Sequence, residues 1–192
     1  MISIIDLLTI IIYAPEHLSF MDERSLISRA FYPSESDCPS SFNDILRVFE
    51  SNAHRISTIK GRSNKSNEVL SILSKDLIRI GFDVENSYGI GKIPRTVLAK
   101  DGKSLKKFNL DAYNKKTRTD LEIEAGRAVD NYNFLRDLFQ ASLIEDVDYL
   151  VIAVRIRYRD KPNYDTIKLY LDSLYSCPRM ILPLNGILLV GY

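Results

Sequence analysis

Between Thr119 and Tyr158 the chain changes its period twice, and few folds accommodate the change. "TDLEIEA" (Thr119–Ala125) alternates acid and aliphatic residues, the period of a strand with one face turned to a core. "VDNYNFLRDLFQASLI" (Val129–Ile144) then sets Val129, Tyr132, Leu135, Leu138 and Phe139 at helical spacing. "DYLVIAVRIRY" (Asp148–Tyr158) follows with the β-branched density of a central strand. Upstream, "FNLDAYN" (Phe108–Asn114) also alternates, and Asn114 to Arg118 can turn it back as the hairpin partner of the acidic strand. The core order is therefore strand, strand, helix, strand. It points to an α/β fold with a mixed central sheet flanked by helices in three layers.

The flanks fit the same plan. Ser40 and Ser41 can cap a helix from about Phe42 to Ile59, its apolar stripe broken once, at Asn52. "SNEVLSILSKDLIRIG" aligns Val69, Leu70, Leu73, Leu77 and Ile80 on one face and stops at Gly81, where a left-handed cap is cheap. "FDVEN" reads as a short strand, and the next stretch as a loop or a hairpin turning at Asp101-Gly102. "NYDTIKLYLDSLYS" reads as a helix and "GILLVGY" as a last strand. With 192 residues, 45% of them hydrophobic, one domain over 1–192 is expected. Its core is about 64–158, with an N-terminal helical part (1–60) and a C-terminal helix and strand (163–192) packed on it.

Several classes are set aside by composition. Cys38 and Cys177 form neither a disulfide framework nor a zinc motif, and a reducing cytoplasm fits them. The apolar opening "MISIIDLLTIIIYA" is interrupted by Asp6, lacks a basic region and cleavage site, and is too short to span a bilayer. A buried helix or strand is expected there, with no membrane partner. His17 and His54 belong to no ligand-spaced cluster, and "YGIGKIP" lacks the third glycine and the following helix of a nucleotide loop.

The acids carry the chemistry. On a strand, Leu121, Ile123 and Ala125 face one side, and Glu122 and Glu124 project from the other. If "FNLDAYN" pairs with "TDLEIEA", Asp111 lies across the hairpin from Glu122, since facing residues have Cβ atoms roughly 4.5–5.5 Å apart. Oxygen-only ligands of this kind suit Mg²⁺, one ion or two. Taken alone, an E-x-E is also what the solvated face of an amphipathic strand carries, with Lys115, Lys116 and Arg118 as counter-charges.

An acid on one strand, E-x-E on the next, and then a helix opening on the small residues Ala125 and Gly126 resemble the PD-(D/E)XK nuclease superfamily. Asp111 in "NLDAYN" matches its first acid, Glu122 its second, and Glu124 stands where the customary lysine is found. An acid at that position is similar to the BamHI and BglII/BstYI group of type II restriction endonucleases. The likeness covers roughly 64–158. Leu110 departs from the proline that many members have, and the absent lysine removes one candidate for activating water. The resemblance implies a restriction-endonuclease-like fold and Mg²⁺-dependent hydrolysis of double-stranded DNA, with Asp111, Glu122 and Glu124 as metal and catalytic residues. Glu68 matches a helix glutamate that contributes to the site in many members; an acid in a first helical turn is also stabilised by the dipole alone.

Basic runs flank the acids. Arg62 lies in "NAHRISTIKGRSNK", and Lys92, Arg95, Lys106 and Lys107 in "KIPRTVLAKDGKSLKK". Arg155 and Arg157, with Arg159, follow "VIAV" at strand spacing, and Arg127 follows Gly126. Such residues attract a phosphate backbone, although each run alone is also an ordinary solvated face. The expected protein is a DNA endonuclease, as a homodimer because a palindromic site is read by matching symmetry. The rivals are a repair or junction-cleaving nuclease of the same superfamily and a catalytically inactive DNA-binding module.

Overall fold

The computed structural model describes residues 26–85, 91–101, 103–126 and 128–192. The apolar opening with His17, the first part of the G-x-G stretch (86–90), Gly102 of the expected turn and Arg127 lie outside these residues. In chain order the strands are β1 (Ser28–Tyr32), β2 (Asp83–Val84), β3 (Ile93–Lys100), β4 (Lys103–Leu110), β5 (Ala112–Asn114), β6 (Thr119–Glu124), β7 (Tyr149–Val154) and β8 (Gly186–Gly191). The helices are α1 (Phe42–Ser51), α2 (Ala53–Ile56), α3 (Ser66–Arg79), α4 (Asn133–Leu143) and α5 (Asn163–Tyr175).

Six strands form one mixed sheet in the order β1-β8-β7-β6-β5-β2. The three central strands β6, β7 and β8 are parallel, and the outer pairings are antiparallel. "YLVIAV" and "GILLVG" are buried along their whole length apart from Tyr149 at the start of β7. Continuous apolar runs are what parallel strands covered on both faces require. One face packs Leu121, Ile123, Val151, Ala153, Leu188 and Val190 against α1, α2 and α3. The other packs Leu150, Ile152, Val154, Ile187 and Leu189 against α4 and α5 through Phe134, Leu138, Ala141, Ile167 and Leu171. β8 is an interior strand, closed on its far side by β1 in register Ala30↔Leu189. Among the described residues no helix is long and apolar enough to cross a membrane.

Two expectations are corrected. The helix expected from Phe42 to Ile59 is cut at Asn52, where the backbone leaves helical geometry. The buried Asn52 amide donates to Val48 O at 2.9 Å and to Asp76 Oδ2 on α3 at 3.0 Å, so the side chain competes with the helical ladder and ties two helices together. The chain then makes one turn of α2 and a 3₁₀ turn, ended by Gly61 at φ +73°. The second correction concerns the arginines after "VIAV": β7 stops at Val154, and Arg159 has φ +49°, so they have no strand spacing. α3 ends as the sequence implies, with Gly81 at φ +92° just beyond it.

β3 and β4 form a separate two-stranded ribbon, running from Ile93↔Leu110 to Lys100↔Lys103. β4 passes through a bend at Asp111 directly into β5. That bend joins the ribbon to the sheet beside the acidic strand.

Candidate active site

β6 sorts its side chains by parity. Leu121 and Ile123 enter the core under α1–α3, which sends Asp120, Glu122 and Glu124 to the face covered by α4. The register Ala112↔Leu121 puts Asp111, one residue before β5, at the position facing Glu122. The chain has bent at Asp111, so the Ile123 N–H is taken by the Asp111 carboxylate, which accepts it at 2.9 Å. Glu124, at the end of β6, accepts from Asn133 Nδ2 and from Arg136 Nη2, both at 3.1 Å. Arg136 Nη2 also donates to Asp137 Oδ1 at 2.9 Å, and Arg136 Nε donates to the same oxygen at 3.1 Å.

Three of these acids open onto one cleft of about 340 Å³, with Asp120 and Glu124 close behind them. Asp111, Glu122 and Asp137 line it on the acidic side, with Lys107 and Arg136 as cations and the Asn109 and Gln140 amides between them. Burial pushes Asp111 up to about 6, with the charges of Glu85 and Glu124 adding to it and the Ile123 N–H opposing it. Burial likewise takes Asp137 to about 7, helped by Glu124 and opposed by Arg136. Asp120 and Glu122 are held well above the carboxylate range, first by burial and then by neighbouring acids. Asp120 is 0% exposed, and neither of its oxygens has a hydrogen-bond partner; Asp137 Oδ2 is also buried without one. A buried carboxylate in this state is costly unless it holds a proton or meets a cation.

Among the described residues no three His, Cys, Asp or Glu side chains converge closely enough to hold an ion as they stand. Asp111 is turned to the Ile123 N–H, and Glu124 is drawn toward Asn133 and Arg136. The donor set still suits a hard cation, because it is all oxygen and includes the orphaned Oδ2 of Asp137. Asp111, Glu122, Glu124 and Asp137 are the residues that would hold it.

The remaining candidates are distributed unevenly. Glu68 is exposed on α3, outside the cleft lining, and its Oε2 accepts the Lys65 N–H at 2.7 Å, a capping bond at the helix start. Lys107 lines the cleft; Lys106 stands beside it on β4, 5.1 Å over the Phe108 ring, and Lys92 is exposed just before β3. Arg62 is exposed, with Nε donating to His54 O at 3.1 Å. Arg95 is turned inward, 3.9 Å over the Tyr113 ring and 3.3 Å from Asp146. Arg155 is buried and donates to Asn64 O, whereas Arg157 is exposed. Arg95 and Arg155 are therefore structural cations and do not present free guanidinium groups. Arg118 is paired with Asp148 at 2.9 Å, so the counter-charge of Glu124 is Arg136.

Asp137 and Arg136 escaped the sequence reading because the apolar stripe was assigned to the wrong face of α4. Tyr132, Leu135 and Phe139 are exposed, and the buried face is Phe134, Asp137, Leu138 and Ala141. The signal was present: Phe134, Leu138 and Ala141 recur at i, i+4 and i+7 with Asp137 between them.

No family model, curated protein or solved structure matches this chain.

Proposed function

We propose that the chain is a Mg²⁺-dependent endonuclease that hydrolyses phosphodiester bonds of double-stranded DNA at a short specific site, a homodimeric type II restriction endonuclease of PD-(D/E)XK type. The observation that carries this reading is the placement of Asp111 opposite Glu122 beside β5 and β6, with Asp137 completing an acidic cleft bordered by Lys107 and Arg136, and Glu124 joined to it through Arg136. The mixed sheet with helices on both faces is compatible with that superfamily.

When bound, a divalent cation supplies polarisation of the scissile phosphate, a nucleophile at neutral pH and neutralisation of the leaving oxygen. Asp111 and Glu122, together with Glu124 and Asp137, are the residues that would hold it in this scheme. Glu124, the most outlying acid of β6, accepts the proton of the attacking water. Lys107 and Arg136 counter the repulsion that an acidic cleft exerts on a phosphodiester. The β3–β4 ribbon, with Lys100, Lys103, Lys106 and Lys107 exposed, has the two-stranded form that a major groove admits.

Incubation of the purified protein with plasmid and Mg²⁺ tests the reading. Discrete fragments are expected. Cutting that follows DNA shape without a fixed site means a repair or junction nuclease. DNA binding without Mg²⁺-dependent cleavage means an inactive binding module, in which Arg136 permanently holds the acids.

A further inference from the structure

Arg136 is placed unlike an ordinary surface ion pair. A single nitrogen, Nη2, is shared between carboxylates from two elements, Glu124 at the end of β6 and Asp137 on α4, at 3.1 and 2.9 Å. Both acids are nearly enclosed, with side chains 12% and 1% exposed, while the arginine side chain is 58% exposed. The guanidinium therefore enters from the mouth of the cleft and can leave without disturbing the core. It also leaves buried oxygens unsatisfied, because Asp137 Oδ2 and both oxygens of the fully buried Asp120 remain without a hydrogen-bond partner. These bonds employ Nε and Nη2 and do not use Nη1.

We propose that Arg136 is the resident counter-cation of the cleft, standing between Glu124 and Asp137 where a divalent cation binds, and that exchange for the cation delivers its guanidinium to a DNA phosphate. Asp137 is thereby assigned to the cation-binding set, a place that the E-x-E strand alone does not reveal. The delivery half rests on the nuclease reading, and the exchange half does not. Bridging two carboxylates is the task a divalent cation performs, so cation and guanidinium compete for the same oxygens. The planar fork of arginine matches a phosphate as well as a carboxylate, which makes the released side chain a fitting phosphate contact beside Lys107.

The test uses the full chain. Mn²⁺ binding to the DNA-free protein is measured by calorimetry for wild type, Arg136→Ala, Arg136→Gln and Arg136→Lys, and binding of a short DNA duplex is followed by anisotropy across salt in Ca²⁺. Removal of the competitor should tighten Mn²⁺ binding roughly tenfold in the Ala and Gln variants, with Lys intermediate. Loss of the phosphate contact should lower the salt slope of DNA binding by about one. Unchanged or weaker Mn²⁺ binding in a folded Ala or Gln variant, or no Mn²⁺ binding by any of the four proteins, would overturn the exchange. An unchanged salt slope with tightened Mn²⁺ binding would overturn the delivery alone. Failure of the wild type to cleave plasmid sinks the nuclease reading and leaves the Mn²⁺ comparison standing, so the two failures are distinct.

Discussion

Asp111 has two tasks that pull its protonation in opposite directions. As acceptor of the Ile123 N–H it favours the anion, whereas burial and the charges of Glu85 and Glu124 favour the acid, and the balance lies at about 6 instead of the ordinary 3.8. A carboxyl raised in the fold contributes stability that is complete below its unfolded value and is lost as pH rises through the folded one. For Asp111 that window runs from 3.8 to about 6, and for Asp137 from 3.8 to about 7. In chelator, the melting temperature should therefore fall between about pH 4 and pH 7. Asp111→Asn keeps an oxygen for Ile123 and removes the charge. It should raise the metal-free melting temperature at pH 8 by roughly 2–4 °C, flatten the decline, and abolish Mg²⁺-dependent cleavage. Scanning fluorimetry across pH and a plasmid assay check it; full cleavage by the variant would remove Asp111 from the site.

α4 and the β3–β4 ribbon each supply a contrast within one element. On α4, Leu138 is buried against the sheet, while Phe139 is 63% exposed. Leu138→Ala should cost about 2–5 kcal/mol of stability in urea denaturation, and Phe139→Ser should stay within about 0.5 kcal/mol. The reverse order would mean that the helix packs by the stripe Tyr132, Leu135 and Phe139. On the ribbon, Lys106 and Lys107 are both exposed and neighbour the cleft. Replacing both by Gln should weaken DNA binding evenly across sequences and reduce the salt slope by about 2, because each phosphate contact acts through counterion release. Anisotropy titrations at several salt concentrations decide it, and an unchanged slope excludes the ribbon from the interface.

The molecule as a whole is closed by the seam between β1 and β8, which links residues near both ends of the described chain. Gly186 opens β8 beneath Phe31 and Tyr32. A Cβ there would stand 2.3 Å from Phe31 Cζ and 2.8 Å from Tyr32 O, and the backbone oxygen cannot swing aside as a ring can. Gly186→Ala should destabilise the protein by about 1–3 kcal/mol through overpacking, read as a lower urea midpoint at unchanged slope. A midpoint equal to wild type would show that the seam yields easily. The parallel strands β8 and β7 join this seam to β6 in the interior of the sheet, so the acids stand on a strand paired on both sides.

Local periodicity was enough for the elements that bury a face by simple alternation or repeat. α3 with its Gly81 stop, β6, β7 and β8 were all legible, because their apolar residues follow one period, whereas the single strand expected over Phe108–Asn114 is broken at Asp111, where the chain leaves the ribbon for the sheet. The register that sets Asp111 opposite Glu122 was legible too, since a four-residue turn fixes Asn114↔Thr119 and Ala112↔Leu121. Asn52 was visible as a break but not as a hinge, because its partner Asp76 lies 24 residues away on another helix. The face of α4 was misread for a similar reason: the sheet's acidic strand accepts Asp137 and Arg136 opposite it, and an acid on a buried helical face has no local signature. Arg95 and Arg155 looked like free cations until Tyr113, Asp146 and Asn64 arrived from distant segments. Period and turn chemistry act between near neighbours and can be read along the chain, whereas the partner of a charge is chosen by packing, which only the assembled sheet and helices decide.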